Sequence, residues 1–226
     1  MVDWVGLDAD DTLWQNEEFF RLTQDRFADL LSDYLDPDLL HAKLLAAERK
    51  NIGHYGYGIK GFMLSMVETA LDVSKDQAPA SVIREILTLG QDMLDHPINL
   101  LPGVSDTLPK LVEDYSLLLI TKGDLLHQEQ KLARSGLGDF FDEVYIVSEK
   151  DVPTYLGCFR GREMQSAMVG NSMKSDIAPV LAIGGQAIQI PASFEWDLEK
   201  AEIADDSPGF HRIKQFDELV TLLPQI

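Results

Sequence analysis

The sequence predicts an α/β protein, a doubly wound parallel sheet interrupted near its start by an all-helical insertion. Three observations carry this. Beyond Leu100, short apolar runs alternate with amphipathic stretches, the pattern of strands and helices exchanging across a parallel sheet. Over residues 17–95 the apolar spacing is helical throughout, with no convincing strand. One apolar run, Trp4–Leu7, precedes that block and needs the later strands as partners.

Taken in order, Trp4–Leu7 is the first strand and residues 14–16 are the link out of it. Phe20, Leu22, Phe27, Leu30 and Leu31 open the helical block. Leu39, Leu40, Leu44 and Leu45, then Phe62, Met63, Met66, Val67 and Leu71, keep helical spacing, and a further helix covers residues 82–93. The run His96-Pro97-Ile98-Asn99-Leu100-Leu101-Pro102-Gly103 has the Pro and Gly content of a return linker. Strands are then expected at residues 116–120, 144–147, 167–169 and 187–190. Helices are expected at 104–113, 125–134, 154–159 and 173–183, and after Phe216. The expected division is a Rossmann-like α/β core over residues 1–16 and 96–226, with a helical domain over residues 17–95.

Composition narrows the function. The chain has 226 residues, enough to bury a substantial core, and a formal net charge of −19. Nucleic-acid backbone is a poor partner for such a chain, because that binding runs on Lys and Arg neutralising phosphates. A small phosphate ester is not excluded, since a bound divalent cation reverses the local field. No apolar run is long enough to cross a bilayer, and no basic leader opens the chain. The single cysteine, Cys158, forms no disulfide within the chain and fits a reducing compartment. A cytoplasmic protein without a membrane partner is expected, its oligomeric state open.

The chemistry concentrates at strand ends. Val5-Gly6-Leu7-Asp8-Ala9-Asp10-Asp11-Thr12 is a strand ending in two carboxylates one residue apart. Positions i and i+2 leave an extended chain on one face, so Asp8 and Asp10 can address one ligand. An acidic turn with an Asp or Thr helix cap uses the same residue types. Thr121 ends the run Leu117-Leu118-Leu119-Ile120, and Lys150 follows Val144–Glu149 within a stretch of the same kind. Taken singly, each reads as well as a strand-ending hydroxyl or a solvated lysine. Val169-Gly170-Asn171-Ser172-Met173-Lys174-Ser175-Asp176 reads as strand, glycine turn and helix start. Asn171 and Asp176 are oxygen donors suited to a hard cation such as Mg²⁺, though Asn171 or Ser172 also suits a helix cap.

Four strand ends carrying Asp-x-Asp, Thr, Lys and an Asn/Asp turn in this order resemble the haloacid dehalogenase-like hydrolase superfamily. The first stretch and VGNSMKSD are the specific parts. ITKGD with Thr121 and SEK with Lys150 gain weight from order and spacing. The helical insertion directly after the first motif is similar to the cap of that superfamily's first subgroup. Ser135-Gly136-Leu137-Gly138-Asp139-Phe140-Phe141-Asp142 resembles the turn before its third core strand.

The resemblance implies a Mg²⁺-dependent phosphatase acting on a small phosphorylated metabolite. Asp8 would attack phosphorus and form an aspartyl-phosphate. Asp10 would protonate the leaving alcohol and then deprotonate the hydrolytic water. Mg²⁺ would be held by Asp8, the Asp10 backbone carbonyl and the fourth motif, while Thr121 and Lys150 hold the phosphoryl group. The position of Asn171 is usually aspartate in the family's phosphatases. An amide still offers a carbonyl oxygen with one charge fewer, which implies weaker Mg²⁺ binding.

Alternatives remain within and outside the chemistry. A 2-haloacid dehalogenase needs no acid to protonate an alcohol, so Asp10 favours phosphate esters. A phosphomutase, or a phosphate-ester-binding homologue without turnover, shares the same residues. Gly56-Tyr57-Gly58-Ile59-Lys60-Gly61 has the spacing of a dinucleotide-binding glycine motif, but it follows a helical pattern rather than a strand and reads as a tight loop. His54, Tyr57 and Lys60 around it are candidate substrate contacts of a cap.

Overall fold

The computed structural model describes residues 1–194 and 196–226. The chain divides into two compact units, residues 1–17 with 98–226, and residues 18–97. Among the described residues no helix is long and apolar enough to cross a membrane.

The second unit is built from four helices, α1 (Glu17–Leu30), α2 (Pro37–Tyr55), α3 (Ile59–Ser74) and α4 (Ala80–Asp95). Asp36 caps α2 by accepting from the Asp38 N–H at 3.0 Å, and Pro37 takes the first helical position, where no donor is needed. Gly56 and Gly58 lie at φ 72° and 107° in the turn between α2 and α3. A Cβ on Gly61 would meet the Gly56 carbonyl oxygen at 2.8 Å. These glycines therefore serve a tight helix–helix turn, as expected for a motif lacking a strand before it. Phe27, Leu31, Leu40, Leu44, Phe62, Met66, Ala70 and Ile86 fill the core of the unit. Phe19 and His96 stack at 3.5 Å between ring centroids, tying its first and last residues together.

The other unit is a six-stranded sheet, parallel throughout: β1 (Trp4–Leu7), β2 (Ser116–Lys122), β3 (Glu143–Val147), β4 (Ser166–Gly170), β5 (Gln186–Gln189) and β6 (Phe210–Arg212). Its order is β3-β2-β1-β4-β5-β6. Strand order reverses at β1, which pairs with both β2 and β4, so the crevice beyond its carboxyl end is the ligand position of such sheets.

The apolar runs are nearly continuous because both faces are covered. Val5, Leu7, Leu117, Leu119, Ala167 and Val169 pack to one side with α5 (Val104–Leu111) and the C-terminal turns. Leu118, Ile120, Met168 and Ala187 pack to the other. Around the sheet lie α6 (Leu125–Ser135), α7 (Val152–Phe159), α8 (Ala178–Ala182) and α9 (Leu219–Leu222).

Three elements differ from expectation. The sixth strand is an addition: Phe210–Arg212 is three residues long and only Phe210 is buried, so it has no apolar pattern to read. The helix expected over 173–183 is interrupted, because residues 173–177 form a wide turn in which the Ile177 N–H reaches the Ser172 carbonyl at 3.2 Å. The final helix, α9, has four residues inside a longer series of tight turns.

Candidate active site

Asp8 directly follows β1, and its N–H continues the ladder by donating to the Val169 carbonyl at 2.9 Å. The chain then turns sharply, with the Leu13 N–H on the Ala9 carbonyl at 2.8 Å. Asp11 sits at φ 61°, a conformation Asp tolerates better than most residues. Its carboxylate accepts from the Asn16 and Glu17 N–H groups, each at 3.0 Å, and so secures the link into α1. The turn brings Thr12 back to Asp8, where its hydroxyl donates to Oδ2 at 3.2 Å.

Lys150 and Asp176 complete the centre. The Lys150 ammonium bridges Asp8 Oδ1 and Asp176 Oδ1, the latter at 2.7 Å. All three side chains are buried. Asp176 Oδ2 accepts from the Ser172 N–H at 2.9 Å, so both of its oxygens are engaged. Gly170 allows this arrangement: a Cβ there would sit 2.2 Å from Asp176 Oδ2. Burial raises the Asp8 carboxyl above the ordinary range, and the Asp176 and Asp10 charges add to it while Lys150 opposes. Lys150 is held protonated, because its two carboxylate partners outweigh burial.

Asp10 belongs to a second cluster. Trp14 Nε1 donates to its Oδ1 at 2.6 Å, and Gln128 Nε2 to its Oδ2 at 3.0 Å. Lys131 contacts both oxygens, Oδ2 at 2.8 Å. Burial alone would raise the Asp10 pKa, but the Lys131 charge and these three donors hold it below the usual carboxylate value. Gln128 Nε2 also lies 2.8 Å from Thr121 Oγ1, which joins Thr121 to the same cluster.

The structure thus brings Asp8, Lys150 and Asp176 together, and Asp10 with Thr121. Asn171 meets the first group through Thr12, whose Oγ1 lies 3.5 Å from Asn171 Oδ1. His54, Tyr57 and Lys60 belong to the helical unit, at the end of α2, in the following turn and in the first turn of α3.

Sequence reasoning missed Trp14, Gln128 and Lys131. A signal existed in α6, whose buried residues are the polar His127, Gln128 and Lys131 while Leu125 and Leu126 are exposed. It also missed Lys122, which pairs with Glu199 at 2.7 Å and reaches Ser175 at 2.9 Å. Glu199 in turn accepts from Ser172 Oγ at 2.7 Å, tying the 197–199 segment to the turn after β4.

The donor set fits a hard divalent cation. Asp8 Oδ2 and Asn171 Oδ1 both lie within hydrogen-bond reach of one hydroxyl, so two oxygen ligands converge. Three carboxylates, Asp8, Asp10 and Asp176, face two ammonium groups, Lys131 and Lys150, leaving negative charge in excess. No group of three or more His, Cys, Asp or Glu side chains suited to a metal is formed among the described residues. A cation here would therefore depend on the Asn171 amide as well as on Asp8.

The parallel sheet thus carries Asp8 and Asp10 beyond the end of β1, Thr121 at the penultimate position of β2 and Lys150 after β3. No protein-family model and no curated protein matches the sequence. Solved structures do. A haloacid dehalogenase-like family hydrolase from Xanthomonas campestris is 38% identical with a TM-score of 0.87, over 99% of this chain and 95% of its own. The chain belongs to the haloacid dehalogenase-like hydrolase family. The fold is shared more distantly by the HAD-hydrolase YfnB from Bacillus subtilis, solved bound to magnesium (15% identity, TM-score 0.68, 98% of each chain). A predicted phosphoglycolate phosphatase from Haemophilus somnus shares it too (18% identity, TM-score 0.65, 98% of each chain).

Proposed function

We propose that this hydrolase is a cytoplasmic, Mg²⁺-dependent phosphatase that cleaves a small phosphate monoester through an aspartyl-phosphate. The observation that carries this reading is the second carboxylate, Asp10, held by Lys131, Trp14 and Gln128 in one network with Thr121. A carbon–halogen hydrolase has no alcohol to protonate and no use for that group. Support for the metal comes from the converging Asp8 and Asn171 oxygens and from the magnesium bound by the Bacillus subtilis protein.

Asp8, oriented by Thr12 and Lys150, attacks phosphorus through one carboxylate oxygen while the bond to the leaving oxygen breaks. Asp10, ionised in the free protein, takes up a proton as the phosphate ester binds, passes it to that oxygen, and the alcohol departs. Water then attacks the aspartyl-phosphate, Asp10 takes the water proton, and Asp8 is regenerated with release of phosphate. Lys131 favours the ionised carboxylate, which is the form that accepts the proton from water. Lys150 holds Asp8 in place and offsets charge on the transferring group, and Thr121 donates to a phosphoryl oxygen. Asp8, the Asp10 main-chain carbonyl and Asn171 would hold Mg²⁺, which would supply positive charge against the negative charge that develops on the phosphoryl group. Asp176, with both oxygens engaged, orients Lys150 and the turn. The helical unit is read as the cap, with His54, Tyr57 and Lys60 as its candidate specificity residues.

Phosphate release from a panel of phosphorylated metabolites, with Mg²⁺ and with chelator, tests the reading. Release should need Mg²⁺. Asp8→Asn, nearly isosteric, should abolish it with the melting temperature close to wild type. Activity surviving in Asp8→Asn removes Asp8 as nucleophile. Halide release from 2-haloacids, with none of phosphate, replaces the reading by its dehalogenase rival.

A further inference from the structure

The Gln128 carboxamide makes contacts that packing alone does not require. Its Nε2 lies 2.8 Å from Thr121 Oγ1, 3.0 Å from Asp10 Oδ2 and 3.1 Å from the Lys122 carbonyl oxygen. Its Oε1 is buried and, among the described residues, has no hydrogen-bond partner. Turning the amide over would set Oε1 against a carboxylate and a carbonyl, neither of which can donate. The neighbours therefore fix the orientation, at the cost of a buried acceptor left unsatisfied.

The consequence falls on Thr121. Its oxygen accepts from Gln128, and among the described residues its hydroxyl donates to no protein acceptor. Gln128 Nε2 has two hydrogens for its three acceptors, and Lys131 Nζ already supplies Asp10 Oδ2 at 2.8 Å, so the amide hydrogens serve Thr121 and the Lys122 carbonyl. The hydroxyl hydrogen is left for a ligand. We infer that Gln128 is a positioning residue that aims the Thr121 hydroxyl at the phosphoryl group of the substrate. The inference rests on the phosphatase reading and deepens it, since it assigns the group that turns an ambivalent hydroxyl into a committed donor.

Gln128→Glu replaces the donor with an acceptor, so Thr121 must donate inward and is lost to the ligand. With the best ester of the panel, KM should rise about tenfold or more, the worth of a hydrogen bond to a charged group, and inhibition by inorganic phosphate should weaken by the same factor. Gln128→Met removes the donor without imposing an acceptor, and should give a smaller rise in KM. In a Thr121→Val background, either change should raise KM by less than about a further twofold, because the partner through which it acts on binding is gone, while any effect through Asp10 falls on kcat. A residue that merely filled space would give effects that multiply. Thermal melts establish which variants fold, and Gln128→Met carries the cycle if Gln128→Glu does not.

An unchanged KM and unchanged phosphate inhibition, a loss confined to kcat, or a full multiplicative effect on top of Thr121→Val overturns the inference alone. A wild-type protein that releases phosphate from no ester overturns the phosphatase reading and the inference together.

Discussion

The two units bury polar groups by opposite means. At the strand ends of the α/β unit, carboxylates are held against ammonium groups: Lys150 bridges Asp8 and Asp176, and Lys131 grips Asp10. Strand ends suit this, because the sheet fixes side chains from distant parts of the sequence within 3 Å of one another. In the helical unit Glu48 on α2 is 7% exposed, yet its Oε2 has no partner among the described residues. Neither does the buried hydroxyl of Thr69 on α3. Burial alone raises the Glu48 pKa to about 7. Buried charge in the first unit is thus paired with ammonium groups, though not fully balanced by them, and tied to chemistry. In the second it is a liability the helices carry.

The most damaging way to test that contrast is to remove the cation that compensates. Lys150→Met leaves Asp8 and Asp176 buried side by side without their shared partner. Breaking one side of such a buried network costs about 3–5 kcal/mol, and denaturant unfolding of the α/β unit should show it. Turnover should be lost as well, because Asp8 is no longer held by Lys150. Stability within about 0.5 kcal/mol of wild type would mean that the lysine is dispensable to the charge balance of the core.

Much of this organisation is legible in the sequence, and the parts that are not share a cause. Strands buried on both faces announce themselves as apolar runs: Leu117–Ile120 within β2 and Ala167–Val169 within β4 stand where the runs are. The edge strand β6 does not, because its His211 and Arg212 face partial solvent and leave one apolar residue. At the site, Asp8, Thr121, Lys150 and Asp176 are marked by their places at strand ends. Gln128 and Lys131 are not, because their partner Asp10 lies more than a hundred residues away. Only the inverted amphipathicity of α6, polar residues in and leucines out, carries a trace of them. The liability at Glu48 was hidden for the opposite reason, since Leu40, Leu44 and Glu48 share one helical stripe and a glutamate there reads as its solvated edge.

Glu48 offers the next largest effect, in the opposite direction. A carboxyl whose pKa is raised from 4.5 to about 7 on folding binds more protons in the folded state. Its stability contribution is full below pH 4.5, declines as the pH rises, and is lost above about 7. Glu48→Gln removes that dependence. The variant should match wild type near pH 4.5 and exceed it at pH 8 by up to about 3 kcal/mol, the free energy of such a shift. Denaturant or thermal unfolding across that range checks it. A wild-type advantage at pH 8 would reveal a partner for the ionised carboxylate and erase the contrast between the units.

The smallest effect sharpens the comparison most, because it asks whether the first unit can absorb one more charge. Asn171→Asp places a carboxylate where an amide oxygen now stands, 3.5 Å from Thr12 Oγ1 and close to Asp8. Among the described residues neither Lys131 nor Lys150 bonds to Asn171, so the added charge lacks a share in those two pairs. In chelator the variant should melt lower than wild type, by a destabilisation of about 1 kcal/mol. Saturating Mg²⁺ should close that gap or reverse it, since a ligand that binds only the folded state adds stability in proportion to its affinity. The Mg²⁺ concentration giving half-maximal activity should fall in parallel. Equal response of the two proteins to Mg²⁺ would place Asn171 outside the metal's ligands and assign the excess negative charge of the strand ends to some other counterion.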